Sequence, residues 1–240
     1  MDRDLVKILD YGVDSFTFEE ALDYAGSHSG QIVTINPEMI EFARKNQNFS
    51  DVISNAELVV PDGIGVEIGL KILGKQVRRI PGVELGKALI VKFSKENRTV
   101  AMIGAKPEVV ELAVKNLKSE IQNLNIVYYH DGYFSSDEEV KKQVVEANPD
   151  LLLVALGSPK QEFFINSLKQ SLPNATMIGL GGSFDVWAGV VNRAPKIYQK
   201  LGLEWLYRTI NEPQRFKRIF PTLPLFVLRV CKERFSTNKC

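Results

Sequence analysis

Cysteine is nearly missing from the 240 residues: Cys231 and Cys240 are the only two, both in the last ten positions. No disulfide framework can organise the core, and no thiol nucleophile can sit inside it. Histidine is as scarce, with only His28 and His130, which argues against a His-rich metal centre. No apolar run reaches the ~18 residues of a membrane span; the longest candidate, 219–231, is broken by Pro221, Thr222, Pro224 and Arg229. The chain opens Met1-Asp2-Arg3-Asp4, acidic where a secretory signal carries a basic stretch, so a cytoplasmic location is expected. No Pro-, Ser- or Gln-rich tract and no internal repeat interrupts the chain.

What is present is an ordinary globular composition, 45% apolar and 25% charged, enough apolar surface to offset the entropy of folding. The formal net charge of +1 hides an asymmetry. Residues 1–192 carry 19 basic and 26 acidic groups, net −7, whereas residues 193–240 carry 11 basic and 3 acidic groups, net +8. An acidic body with a basic tail points to an anionic partner for the tail. Nucleic acid is the weaker choice, because the tail's basic residues alternate with Leu203, Trp205, Leu206, Ile210 and Phe216 and no nucleic-acid motif accompanies them.

Short β-branched runs alternate with amphipathic segments. Strands are predicted at 6–11, 31–35, 57–60, 99–103, 125–129, 151–156 and 176–180, and helices at 18–25, 38–45, 65–73, 83–96, 107–122, 137–146 and 159–171. This alternation predicts an α/β fold, a mainly parallel, Rossmann-like sheet with helices on both faces. A body of 1–196 and a basic C-terminal helical appendage of 197–240 follow from the composition. In such sheets ligands bind where the strands end.

Three strand ends run into glycine: Gly104-Ala105-Lys106-Pro107, Gly157-Ser158-Pro159-Lys160-Gln161-Glu162 and Gly179-Leu180-Gly181-Gly182-Ser183-Phe184-Asp185. None is a Walker loop or a dinucleotide fingerprint. Ser158 and Gln161 have the spacing of a capping box, although the dipole disfavours Lys160 at a helix start, which a bound diphosphate would offset. Two more strand ends are polar, Thr34-Ile35-Asn36-Pro37-Glu38 and Pro61-Asp62-Gly63-Ile64-Gly65. Asp62 and Asp185 each suit a helix cap as well as a ligand contact, and Asp62 also suits a general base.

Pro61-Asp62-Gly63, Gly157 to Glu162, Gly181 to Val186 and, above all, the run RAPKIYQKLGLEWLYR from Arg193 to Arg208 resemble the WecG/TagA/CpsF family of bacterial glycosyltransferases, over about residues 33–218. The resemblance implies an inverting, metal-independent enzyme with no cofactor. It would move an N-acetylmannosamine-type sugar from a UDP-sugar to an N-acetylglucosamine on undecaprenyl diphosphate, in teichoic acid or other cell-surface polysaccharide synthesis. It implies Asp62 as base, Thr34 and Asn36 as a polar pair in the pocket, and Arg79 and Gln161 lining it. It also implies Arg208, Arg215 and Arg218 as basic residues of the appendage. The family's usual Asn-Ala-Glu is Asn36-Pro37-Glu38 here, and its Arg-Val-Ala-Gly is Arg79-Ile80-Pro81-Gly82, departures that bear on sugar specificity.

Many glycosyltransferases hold a divalent metal with an Asp-x-Asp pair, and the only such pair here is Asp2-Arg3-Asp4. Arginines and helix N-termini are therefore expected to neutralise the leaving diphosphate. Backbone N–H groups of Gly104, Gly157 and Gly181, with Gln161 and Asp185, are expected to hold the donor. The tail is expected to dock the enzyme on the inner face of the cell membrane, with self-association an open expectation. The competing reading is a non-catalytic nucleotide-binding module that recruits partners through its tail; such a module needs Asp62 only as a cap.

Overall fold

The computed structural model describes residues 3–192, 194–195, 197–198, 206–207, 210 and 216–237, with the backbone alone for 216–220 and 237. Among these residues the body is a six-stranded sheet in which every strand pair is parallel, in the order β4-β3-β8-β7-β5-β6. The strands are β3 (Gly30–Ile35), β4 (Leu58–Pro61), β5 (Thr99–Gly104), β6 (Asn125–His130), β7 (Leu151–Ala155) and β8 (Thr176–Gly179). The central ones are buried along their whole length, β7 without exception. That is why they read as continuous apolar runs and not as alternating ones.

One face of the sheet is covered by α1 (Phe18–Ser27), α5 (Gly82–Lys95), α6 (Pro107–Glu120) and α9 (Ser183–Trp187). The other is covered by α2 (Pro37–Ala43), α3 (Gln47–Ser54), α4 (Ile64–Ile72), α7 (Asp137–Ala147), α8 (Lys160–Leu168) and the last helix, α10 (Phe216–Thr237). Along the neighbouring strands β3, β8, β7 and β5, successive helices leave to opposite faces, which opens a crevice at the carboxyl ends.

The structure departs from the periodicity in three places, and the expected helical tail is present. The first predicted strand is an antiparallel hairpin, β1 (Leu5–Ile8) with β2 (Tyr11–Asp14). Leu9 and Asp10 turn at positive φ, without the Asn-Gly or Asp-Gly pair that usually announces such a turn. Buried Asp14 takes two bonds from Arg3, at 2.7 and 2.8 Å, and one from the Val59 N–H, which ties the hairpin to β4. Helix α3, absent from the sequence reading, is capped by Asn46. Helix α9 is too short for a periodic signal. The tail holds a long helix despite Pro221 and Pro224. On α10, Phe226 and Val230 are fully buried with residues of α2 and α4, while Leu228 and Phe235 remain exposed. Among the described residues no helix is long and apolar enough to cross a membrane.

Candidate active site

Five strands deliver the predicted residues to one edge of the sheet. In sheet order they are Asp62 after β4, Thr34 and Asn36 at the end of β3, Gly179 and Gly181 at β8, Gly157 after β7, and Gly104 at β5. Four strand spacings of about 4.8 Å make this row about 19 Å long.

The Asp62 backbone is held by its N–H on the Ile35 carbonyl, 2.8 Å, an extension of the β3–β4 ladder past the last paired residues. Asp62 is not the cap of α4. That position is Gly63, at φ +80°, and no cap side chain bonds the first turn. Beside it the Ile80 N–H donates to the Pro61 carbonyl at 2.7 Å, and the Arg79 N–H donates to Glu67 at 3.0 Å. The segment carrying Arg79 is thereby laid along the end of β4, next to Asp62.

Thr34 is buried; its hydroxyl donates to the Gly179 carbonyl at 3.3 Å and bridges β3 to β8. Helix α5 starts against it: a β-carbon at Gly82 would lie 3.1 Å from Thr34 Cγ2. Asn36 caps α2, its Oδ1 accepting from the Met39 N–H at 3.1 Å. The two family departures both fall at helix starts, Pro37 in the first turn of α2 and Pro81 at the cap of α5, where a missing N–H costs no helical bond.

The glycine loops differ in kind. Gly104 adopts φ +127°, and a β-carbon there would collide with the Ala155 carbonyl, so close packing of β5 on β7 explains its identity. Gly157 and Gly181, at φ +75° and +49°, have nothing within 4 Å of a β-carbon position and leave their faces open to the crevice. The Gly181 N–H is engaged, donating to Gln161 Oε1 at 2.9 Å. Gln161 therefore does not close the capping box with Ser158; Pro159 takes the cap position and the amide reaches across to β8 instead. Lys160 sits with Nζ 4.5 Å from the centroid of the Phe134 ring, a cation–π contact that offsets its place at a helix start. Asp185 lies in the first turn of α9, beyond the Gly182 cap, and its carbonyl accepts from Val190 and Val191. Arg208 and Arg215 lie outside the described residues, as does the side chain of Arg218.

Two neighbours escaped the sequence reading. Buried Gln31 donates to the Glu162 carbonyl at 3.1 Å, and Glu162, 2% exposed, accepts from Gln161 Nε2 at 2.7 Å. Burial pushes the Glu162 carboxyl above the usual range, against opposing hydrogen bonds from Gln161 and Ser158. A charged residue on the same helical face as Ile165 was the available signal.

A groove lies elsewhere. It encloses about 770 Å³ along α5, between Leu22, Val83, Ala88, Val91 and Trp187 with Lys87, Lys92 and Lys95 at its rim. Its floor is apolar and its charged residues, among them Glu84, Glu96 and Glu120, stand on helices or at their ends, whereas the residues predicted for the reaction come together at the strand ends, so the strand-end crevice is the candidate site. Among the described residues no three His, Cys, Asp or Glu side chains are grouped as a metal ion would require.

The family described as Glycosyl transferase WecG/TagA/CpsF family matches residues 6–240. The chain is 39% identical over 219 residues to the N-acetylglucosaminyldiphosphoundecaprenol N-acetyl-beta-D-mannosaminyltransferase of Bacillus subtilis (strain 168), covering 88% of this chain and 85% of the relative. It is 36% identical over 233 residues to the protein of the same name from Bacillus spizizenii, covering 96% and 90%.

Proposed function

The chain belongs to the WecG/TagA/CpsF family of glycosyltransferases, and from that membership we propose that it transfers N-acetylmannosamine from UDP to an N-acetylglucosamine on undecaprenyl diphosphate. The observation that carries this reading at the site is the position of Asp62. It stands at the end of β4, one residue before the Gly63 cap of α4 and beside the segment that carries Arg79, where a carboxylate can meet an acceptor hydroxyl. The row of residues across five strands is long enough for an extended nucleotide sugar.

In the reaction, Asp62 accepts the proton of the acceptor hydroxyl as that oxygen attacks the anomeric carbon. The bond from that carbon to the diphosphate oxygen breaks on the opposite face, and UDP leaves with the electron pair. A positioned base contributes roughly 10²- to 10⁴-fold, and fixed cations and N–H dipoles stabilise the charge that develops on UDP. On the body, Arg79 and the open loop at Gly157 supply such groups. Gln161 and the Gly181 loop border the diphosphate, and Asp185 borders the nucleotide end.

A lipid-linked acceptor sets the reaction at a bilayer surface. The +8 charge of residues 193–240 suits an anionic leaflet, where each basic residue contributes about 1 kcal/mol. Exposed Leu228 and Phe235 on α10 add apolar contact, and Arg208, Arg215 and Arg218 complete the site from the docked tail. The test is UDP release from a panel of UDP-sugars with a polyprenyl-diphosphate-linked N-acetylglucosamine. Turnover with UDP-N-acetylmannosamine is expected; no turnover with any donor of the panel would refute the reading.

A further inference from the structure

Side chains at neighbouring positions of a helix point about 100° apart and do not normally meet. Gln161 and Glu162 nevertheless bond to each other, Nε2 to Oε1 at 2.7 Å. They meet because the Gln161 side chain turns back over the end of β8, where a β-carbon at Gly179 would come within 2.6 Å of its Nε2. The same amide then accepts from the Gly181 N–H through Oε1 at 2.9 Å. A primary amide can sit either way round, and only one orientation presents its oxygen to a backbone N–H. The alternative would set two donors against each other. Glu162 supplies the acceptor that selects the productive orientation, and it is anchored in turn by the bond from Gln31 Nε2 on β3 to its own carbonyl.

We propose that Glu162 is a positioning residue: buried and out of reach of substrate, it orients the Gln161 amide and so holds the Gly181 loop in the shape that receives the donor diphosphate. The proposal deepens the donor-site reading and rests on it for its ligand, but not for its geometry. In either charge state the carboxyl offers an oxygen that accepts from the amide, and its burial keeps the bond away from water. The chain of contacts runs from β3 through α8 to the loop after β8, so it ties the start of α8 to that loop.

The test combines backbone amide exchange at Gly181 with UDP affinity by calorimetry in the full-length protein. Glu162→Leu removes the acceptor, and an orphaned buried donor should speed Gly181 exchange and weaken UDP about tenfold. Glu162→Gln retains an acceptor oxygen and should hold Gly181 exchange within about twofold of the unsubstituted protein. In a Gln161→Ala background, Glu162→Leu should add less than about twofold, because its effect passes through that amide. Unchanged exchange and affinity in Glu162→Leu would overturn the proposal, as would full additivity with Gln161→Ala. Exchange in Glu162→Gln as fast as in Gln161→Ala would overturn it even if the Leu variant does not fold. Exchange needs no nucleotide: if UDP fails to bind the unsubstituted protein, the donor-site reading fails while the Gly181 measurement still decides the role of Glu162.

Discussion

Replacing Phe226 by alanine tests whether the last helix belongs to the body in solution. The ring is fully buried, and two of its carbons would lie 3.1 Å from a β-carbon at Gly69 of α4. A buried phenylalanine removes roughly 150–200 Å² from water, worth about 4–5 kcal/mol at 25 cal/mol per Å². Phe→Ala substitutions in cores cost about 3–5 kcal/mol. Gly69 has no side chain with which to fill the space, so the cavity should persist and the loss should fall in the upper half of that range. For a chain of this size that is a fall in Tm of about 8–20 °C. Urea denaturation followed by circular dichroism gives the free energy, and Leu228→Ala, on the same helix but 68% exposed, should stay within about 0.5 kcal/mol of the parent. A loss below about 1 kcal/mol for Phe226→Ala would refute the packing of α10 on α4.

Asp62→Asn should fold and bind UDP normally yet turn over at least ~10²-fold more slowly; near-normal turnover would remove Asp62 from the mechanism. Activity should survive EDTA, because the sequence has no Asp-x-Asp pair beyond Asp2-Arg3-Asp4; loss on chelation with recovery on Mg²⁺ or Mn²⁺ would show that a metal carries the diphosphate. Replacing exposed Leu228 and Phe235 by aspartate, which leaves buried Phe226 and Val230 in place, should weaken sedimentation with anionic liposomes and lower turnover of the lipid-linked acceptor, and unchanged sedimentation and turnover would deny this face of the tail a docking role. The pKa of Glu162 is raised in the folded chain, chiefly by burial. Over the pH range above the usual carboxylate value the folded state therefore binds more protons than the unfolded one, and stability falls as pH rises. Glu162→Gln should flatten that slope in urea titrations at several pH values; an unchanged slope would show that Glu162 does not titrate abnormally.

Much of the site could be read locally. Thr34, Asp62, Gly157 and Gly181 each close an apolar β-branched run, so their place at strand ends followed from the pattern, and a parallel sheet brings strand ends to one edge. The hairpin at Leu9 and Asp10 could not be read this way, since its turn lacks the residues that favour positive φ. The Leu9 N–H is instead secured by Glu233 of α10, at 3.1 Å, a partner 224 positions away. Capping followed the same division. Asn36 caps its own helix as its residue type suggests, whereas Gln161 and Asp62 looked like capping residues and are not.

Composition, periodicity and strand-end chemistry were sufficient for the α/β class, the basic tail and the row of candidate residues, because these depend on local preference and on the sign of nearby charge. The partners of each side chain depended on contacts between distant segments. The Gly181 N–H is engaged by an amide from the first turn of α8. Gly104 is a glycine because Ala155 of the adjacent strand leaves no room for a side chain. Part of a tail expected to contact the membrane is spent on the core, because Phe226 and Val230 meet α2 and α4. Those outcomes belong to the tertiary structure, since a hydrogen bond or a buried contact is decided by which groups the fold brings within a few ångströms, and no local pattern encodes that distance.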